Sequence, residues 1–104
     1  MPSDPADAGA DTDAPTIRDA VAAGRFELDV AGRIVFAEYE RAPGLLVIRY
    51  VYAPPILRGT GAAGRLMQAI AVVARGEDRR IRAVCGYARA WLRRRDAHRD
   101  LLVD

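Results

Sequence analysis

Arg58-Gly59-Thr60-Gly61-Ala62-Ala63-Gly64-Arg65-Leu66 decides how this chain is read. Three glycines spaced by two and three residues open directly into an apolar-periodic segment, and a β-rich run ending in Pro54-Pro55 precedes them. Glycine has no Cβ to block a close approach, so such a loop can turn its amide N–H groups toward a ligand. The first turn of the following helix adds its own free N–H groups and the positive end of its dipole. Together these make a phosphate cradle, bracketed by the charges of Arg58 and Arg65. Gly59, Gly61 and Gly64 also match G-x-G-x-x-G, the dinucleotide fingerprint. Two prolines between strand and loop, and a chain too short for a large parallel sheet, argue against that reading. A plain helix start, in which the glycines only permit a tight turn, is the alternative that the residues themselves leave open.

Downstream of the loop, Leu66, Ile70 and Val73 recur at four and three residues, with Ala62 and Ala69 beside them. This predicts an amphipathic helix from Gly61 to about Arg75, with Gly76 as its left-handed stop. Arg80 to Cys85 then reads as a short strand, with Ile81, Ala83 and Cys85 on one face. Tyr87 to Arg95 reads as a second helix, turning Tyr87, Trp91 and Leu92 inward. Arg93-Arg94-Arg95 suits the negative end of its dipole. Leu101-Leu102-Val103 reads as a tail packed on the body.

Upstream, Leu45 to Tyr52 carries one charge, Arg49, and apolar residues on both faces, the pattern of a central strand. Pro54 and Pro55 stop it, since neither can donate a ladder hydrogen bond. A strand–helix–strand unit around the loop implies that Arg80–Cys85 returns parallel to Leu45–Tyr52. Arg25 to Val30 alternates strictly, and Ala31-Gly32 joins it as a hairpin to Arg33–Glu40. In that strand Val35, Ala37 and Tyr39 share one face and Ile34 and Phe36 the other, so cover is expected on both sides. Thr16 to Ala23 fits either a short capped helix or an edge strand. The fold class is therefore mixed α/β (α+β): a mainly antiparallel sheet of four or five strands with two principal helices.

The 104 residues suit one domain, spanning 16–104, preceded by an acidic tail, residues 1–15. That tail holds Asp4, Asp7, Asp11 and Asp13, three prolines and no base, and reads as disordered. A chain total of +2 leaves +6 on the remainder, a balance that suits an anionic ligand. All sixteen basic residues are arginine. No reading helix or stacking motif accompanies them, so nucleic acid is disfavoured as a partner. One cysteine excludes an internal disulfide framework and fits a reducing, cytoplasmic setting. No apolar run is long enough to span a membrane. One histidine and one cysteine leave no ligand set for a metal. A core this small suits either a monomer or a homodimer.

The order of these parts resembles the GNAT superfamily of acyl-CoA-dependent N-acyltransferases, and most closely its small stand-alone domains. Arg58-Gly59-Thr60-Gly61-Ala62-Ala63 resembles the superfamily's R-G-x-G-x-[AG] pyrophosphate-binding loop. Arg25-Phe26-Glu27-Leu28, Ala37-Glu38-Tyr39, Cys85-Gly86-Tyr87 and Asp100-Leu101-Leu102 match further features of the small family. The resemblance covers about Ile17 to Asp104. It implies a GNAT-like acyl-CoA N-acyltransferase fold, acetyl-CoA as co-substrate, and transfer of the acetyl group to a small-molecule or protein amine. It assigns Arg58, Gly59, Thr60, Gly61, Ala62, Ala63, Gly64 and Arg65 to the CoA thioester. The family's His-Thr-Glu-Val-Pro segment is here Tyr50-Val51-Tyr52-Ala53-Pro54, with Tyr50 in the histidine position and Tyr52 in the glutamate position. The usual general base is therefore missing, and a CoA-binding or interaction domain without turnover is the second reading.

Three residues are candidates for the chemistry. Tyr87 carries a phenol that stays protonated at pH 7 and can donate to a departing thiolate; the alternative is a packed aromatic at a helix start. Cys85 is either an acyl-carrying nucleophile or a small buried hydrophobe. Tyr50 either holds the acyl carbonyl or serves as a sheet aromatic. His98, on a polar stretch, is expected at the surface.

Overall fold

The computed structural model describes residues 17–103. The expected disordered tail, residues 1–15, lies outside the described residues, as do Thr16 and Asp104. Six strands form one sheet in chain order: β1 (Arg18–Ala20), β2 (Arg25–Val30), β3 (Arg33–Ala42), β4 (Leu45–Tyr52), β5 (Arg80–Ala83) and β6 (Leu102–Val103). Among the described residues two α-helices are inserted, α1 (Ala62–Gly76) and α2 (Gly86–Arg94). Neighbours from β1 to β4 are antiparallel, while β4–β5 and β5–β6 are parallel. The count exceeds the expected four or five strands because two very short ones flank the sheet. At one edge, the described part of the segment expected as helix or edge strand, residues 17–23, forms β1 and a single 3-10 turn. Arg18 fastens that edge to β2 through Glu27 at 2.9 Å and Asp29 at 2.5 Å. At the other edge the C-terminal apolar tail pairs with β5 as β6.

The hairpin at Ala31-Gly32 turns with both residues at positive φ, 51° and 79°, the geometry that matches the twist of its strands. One core fills the space between the sheet and the helices. Phe26, Val35, Ala37, Leu46, Ile48 and Ile81 come from the sheet, and Leu66, Met67, Ile70 and Leu92 from the helices. Helix α1 buries a wider stripe than its Leu66–Ile70–Val73 period suggested, adding Met67, Ala71 and Ala74. On the other face of β3, Phe36 is covered by side chains alone: the Tyr52 ring at 5.3 Å and the Arg25 guanidinium at 4.4 Å.

Helix α1 ends later than its glycine suggested. Gly76 is its last helical residue, and the left-handed position falls on Asp78, at φ 62°. The Asp78 N–H donates to Arg75 O at 3.2 Å and the Arg79 N–H to Ala74 O at 2.8 Å, the paired bonds of a Schellman stop. Helix α2 buries Ala88, Trp91 and Leu92, whereas Tyr87 faces outward. His98 is buried rather than exposed, at 8%. It stacks on Trp91 at 5.9 Å and shares a 3.1 Å hydrogen bond with the Gln68 side chain. Among the described residues no helix is long and apolar enough to cross a membrane.

Candidate active site

The site begins with a fault in the sheet. Glu38 pairs with Tyr50 but Tyr39 pairs with Ile48, so Arg49 is an extra residue in β4. A bulge of this kind reverses the side-chain alternation. Leu46 and Ile48 therefore point into the core, and beyond the bulge Tyr50 and Tyr52 fall on the face that carries Phe36. The same point ends the pairing of β4 with β5. Their register runs from Leu45↔Arg80 to Ile48↔Ala83. The N–H groups of Val84 and Cys85 then both converge on Ile48 O, at 2.9 and 3.3 Å. Past it the two strands part, and the edge of β4 from Tyr50 onward borders a cleft of about 560 Å³.

The glycine loop closes the far side of that cleft. Pro55–Leu57 makes one 3-10 turn with Leu57 buried beneath it. Arg58 Nε donates to Ala53 O at 2.9 Å, and its guanidinium lies 5.7 Å above the Tyr52 ring. Gly59 and Gly61 stand at φ 81° and 87°, where a side chain would be strained. The Thr60 hydroxyl donates to Leu57 O at 2.5 Å and accepts from the Ala62 N–H at 3.3 Å. It serves the loop itself. Among the described residues no backbone carbonyl accepts from the N–H groups of Gly59, Gly61, Ala63 or Gly64. Those four residues border the cleft, together with Arg58 and Ala62.

Not every expected residue gathers there. Tyr50, 48% exposed, and Tyr87, 40% exposed, both border the cleft. Burial pushes the Tyr87 phenol above its ordinary range despite the opposing pull of Arg94 and Arg95, so it is neutral at pH 7. Its hydroxyl lies 3.8 Å from where a Cβ on Gly64 would stand. Cys85 is half-buried at the cap of α2, packs against the core, and stands outside the cleft lining. Arg65 opens instead onto a neighbouring hollow. The lining residues outside the expected site set are Val51, Tyr52, Ala53 and Leu57, brought in by the bulge and the 3-10 turn. An apolar strand end and an Ile-Leu after two prolines are the only local signals for them.

A cleft with unpartnered amides at one end, a strand edge along its side and a neutral phenol at its rim can hold an extended, phosphate-bearing thioester. The profile of a family described as GCN5-related N-acetyl-transferase matches residues 25–101. The chain belongs to that family. No curated protein matches it. Membership in the N-acetyltransferase family carries catalytic potential, and its members typically bind acetyl-CoA. The mainly antiparallel sheet with two principal helices agrees with the family's fold. Among the described residues that line the cleft, none carries an imidazole or a carboxylate.

Proposed function

We propose that this N-acetyltransferase-family chain binds acetyl-CoA in the β4–β5 cleft and transfers the acetyl group to a primary amine, carried by a small molecule or a protein. The observation that supports this best is the opening of the two strands beyond Ile48 onto the unpartnered amides of Gly59, Gly61, Ala63 and Gly64. The loop takes the pyrophosphate, with Arg58 adding charge. The exposed edge of β4 at Tyr50–Tyr52 offers N–H and C=O groups to the amides of the pantetheine arm. A neutral amine then attacks the acetyl carbonyl. The N–C bond forms, the C–S bond breaks, the amine gives up its proton, and the thiolate takes one. Tyr87 is the donor to the thiolate, and Tyr50 can donate a hydrogen bond to the carbonyl oxygen. The amine proton leaves to water, since no base lines the cleft. Cys85, set outside the lining, favours direct transfer over an acyl-cysteine.

The lack of a base also supports a second reading, a CoA-binding domain without turnover. Calorimetry with CoA, followed by amine-dependent release of free thiol from acetyl-CoA, separates the two. Saturable binding with release across an amine panel is the expected result. Binding without release would leave the non-catalytic domain, and absence of binding at millimolar CoA would reject both. Free thiol released in step with a trapped acyl group on Cys85 would replace direct transfer by a covalent route.

A further inference from the structure

A second hollow, about 510 Å³, lies between α1 and α2 and shares Gly61, Gly64 and Tyr87 with the cleft. Arg65, Arg94 and Arg95 border it. Six arginines elsewhere are neutralised: Arg18, Arg25, Arg41, Arg75, Arg79 and Arg99 each meet a carboxylate within 3 Å. Among the described residues no carboxylate pairs with Arg65, Arg94 or Arg95. Three uncompensated guanidinium groups around one concavity form a site for concentrated negative charge.

An independent observation lies at the floor of the hollow. Trp91 is 4% exposed, and its Nε1 donor is fully covered and lacks an acceptor among the described residues. That nitrogen faces the first turn of α1, 3.3 Å from where a Cβ on Gly64 would stand. A buried indole N–H without a partner costs about 1–3 kcal/mol. An oxyanion drawn to the free amides of that turn becomes its acceptor once the contact between Trp91 and the Gly64 turn opens slightly.

We propose that this hollow receives the phosphomonoester end of the ligand, the 3′-phosphate on the adenosine half of CoA. The inference rests on the acetyl-CoA reading above. With the pantetheine arm running from the loop toward Tyr50, the nucleotide must leave the loop in the other direction, across Gly61 and Gly64 and into this hollow. Arg94 and Arg65 supply the charge, and Arg95, stacked 4.9 Å over Trp91, forms one wall.

The test compares CoA with dephospho-CoA, which lacks only the 3′-phosphate, by calorimetry on the full chain. One phosphate held by charged donors should make CoA bind roughly 10- to 100-fold more tightly. Arg94→Ala should erase that difference, leaving dephospho-CoA affinity unchanged. Trp91 is the only tryptophan, so its fluorescence reports the hollow directly and should respond more to CoA than to dephospho-CoA. Equal affinities in the wild type would overturn the 3′-phosphate site while leaving the acetyl-CoA reading intact. So would an Arg94→Ala variant that weakens both ligands alike. Failure of both ligands to bind would reject the acetyl-CoA reading and this inference with it.

Discussion

In the proposed reaction Gly61 and Tyr87 divide the work of the cleft between backbone and side chain, and each makes its own prediction. At φ 87°, Gly61 holds a conformation that costs an ordinary residue about 1–2 kcal/mol. Aspartate there would add a negative charge facing the pyrophosphate. Gly61→Asp is therefore expected to weaken CoA by at least roughly tenfold, read by calorimetry; unchanged affinity would move the cradle elsewhere. Tyr87 has two competing positions in the chemistry. Its raised pKa keeps a proton available, and general-acid loss in Tyr87→Phe should lower kcat by roughly 10²–10⁴-fold. Its hydroxyl, however, rests near Gly64, where it could hold phosphate instead. A rise in KM with kcat unchanged would assign it that binding role. The tyrosine was legible in the sequence as a candidate. Its nearness to the loop was not, because only the packing of α2 on Gly64 creates it.

Elements differ in how openly the sequence declares them, and the ends of α1 show why. Its start is local: three glycines and a change of hydrophobic period lie within a few residues. Its stop looks equally local, since Gly76 is the usual left-handed residue, yet that role falls to Asp78. The choice is made by tertiary contacts at the turn. Arg79 donates to Ala42 O and Glu77 at 2.5 and 2.8 Å, and Arg41 holds Glu77 from β3. Those contacts draw the helix two residues further. Gly76 thus sits inside a helix where a Cβ would meet nothing within 4 Å. Gly76→Ala should stabilise the fold by about 0.5–1 kcal/mol, and Asp78→Gly should do so by a similar amount. Urea unfolding measures both, and destabilisation by Gly76→Ala would return the left-handed stop to residue 76. The β4 bulge is the opposite case. Nothing in Leu45–Tyr52 marks Arg49 as an extra residue, because a bulge exists only relative to β3. The sequence therefore indicated a central strand, while the turning of Tyr50 and Tyr52 onto one face had to come from pairing.

The molecule as a whole is fastened by charged and polar contacts that join distant parts of the chain, and these make it sensitive to acid. Arg41 links Asp19 on β1 to Glu77 at the end of α1, each at 2.8 Å. Its hydrogen bond to Glu77 pulls that carboxyl down to about 2 from 4.5. A depressed carboxylate stabilises the fold above its unfolded value, and that support is lost as pH falls from about 4.5 toward 2. A second group titrates earlier. His98 joins the segment after α2 to α1 through Gln68, and its Nδ1 has no partner among the described residues. Burial lowers its pKa first; Arg75 and Arg95 lower it further, and Asp100 opposes them. The unfolded chain therefore takes up the His98 proton more readily than the folded one, and stability should begin to decline as pH falls below about 6.5. The expected profile has two declines, one beginning below neutrality and one in strong acid. Thermal midpoints measured from pH 7.5 to 3 should show both. His98→Phe, which keeps a ring against Trp91 while removing the titration, should flatten the slope between pH 7 and 5.5 and leave the acid decline in place. An unchanged slope in that variant would assign the first decline to another group.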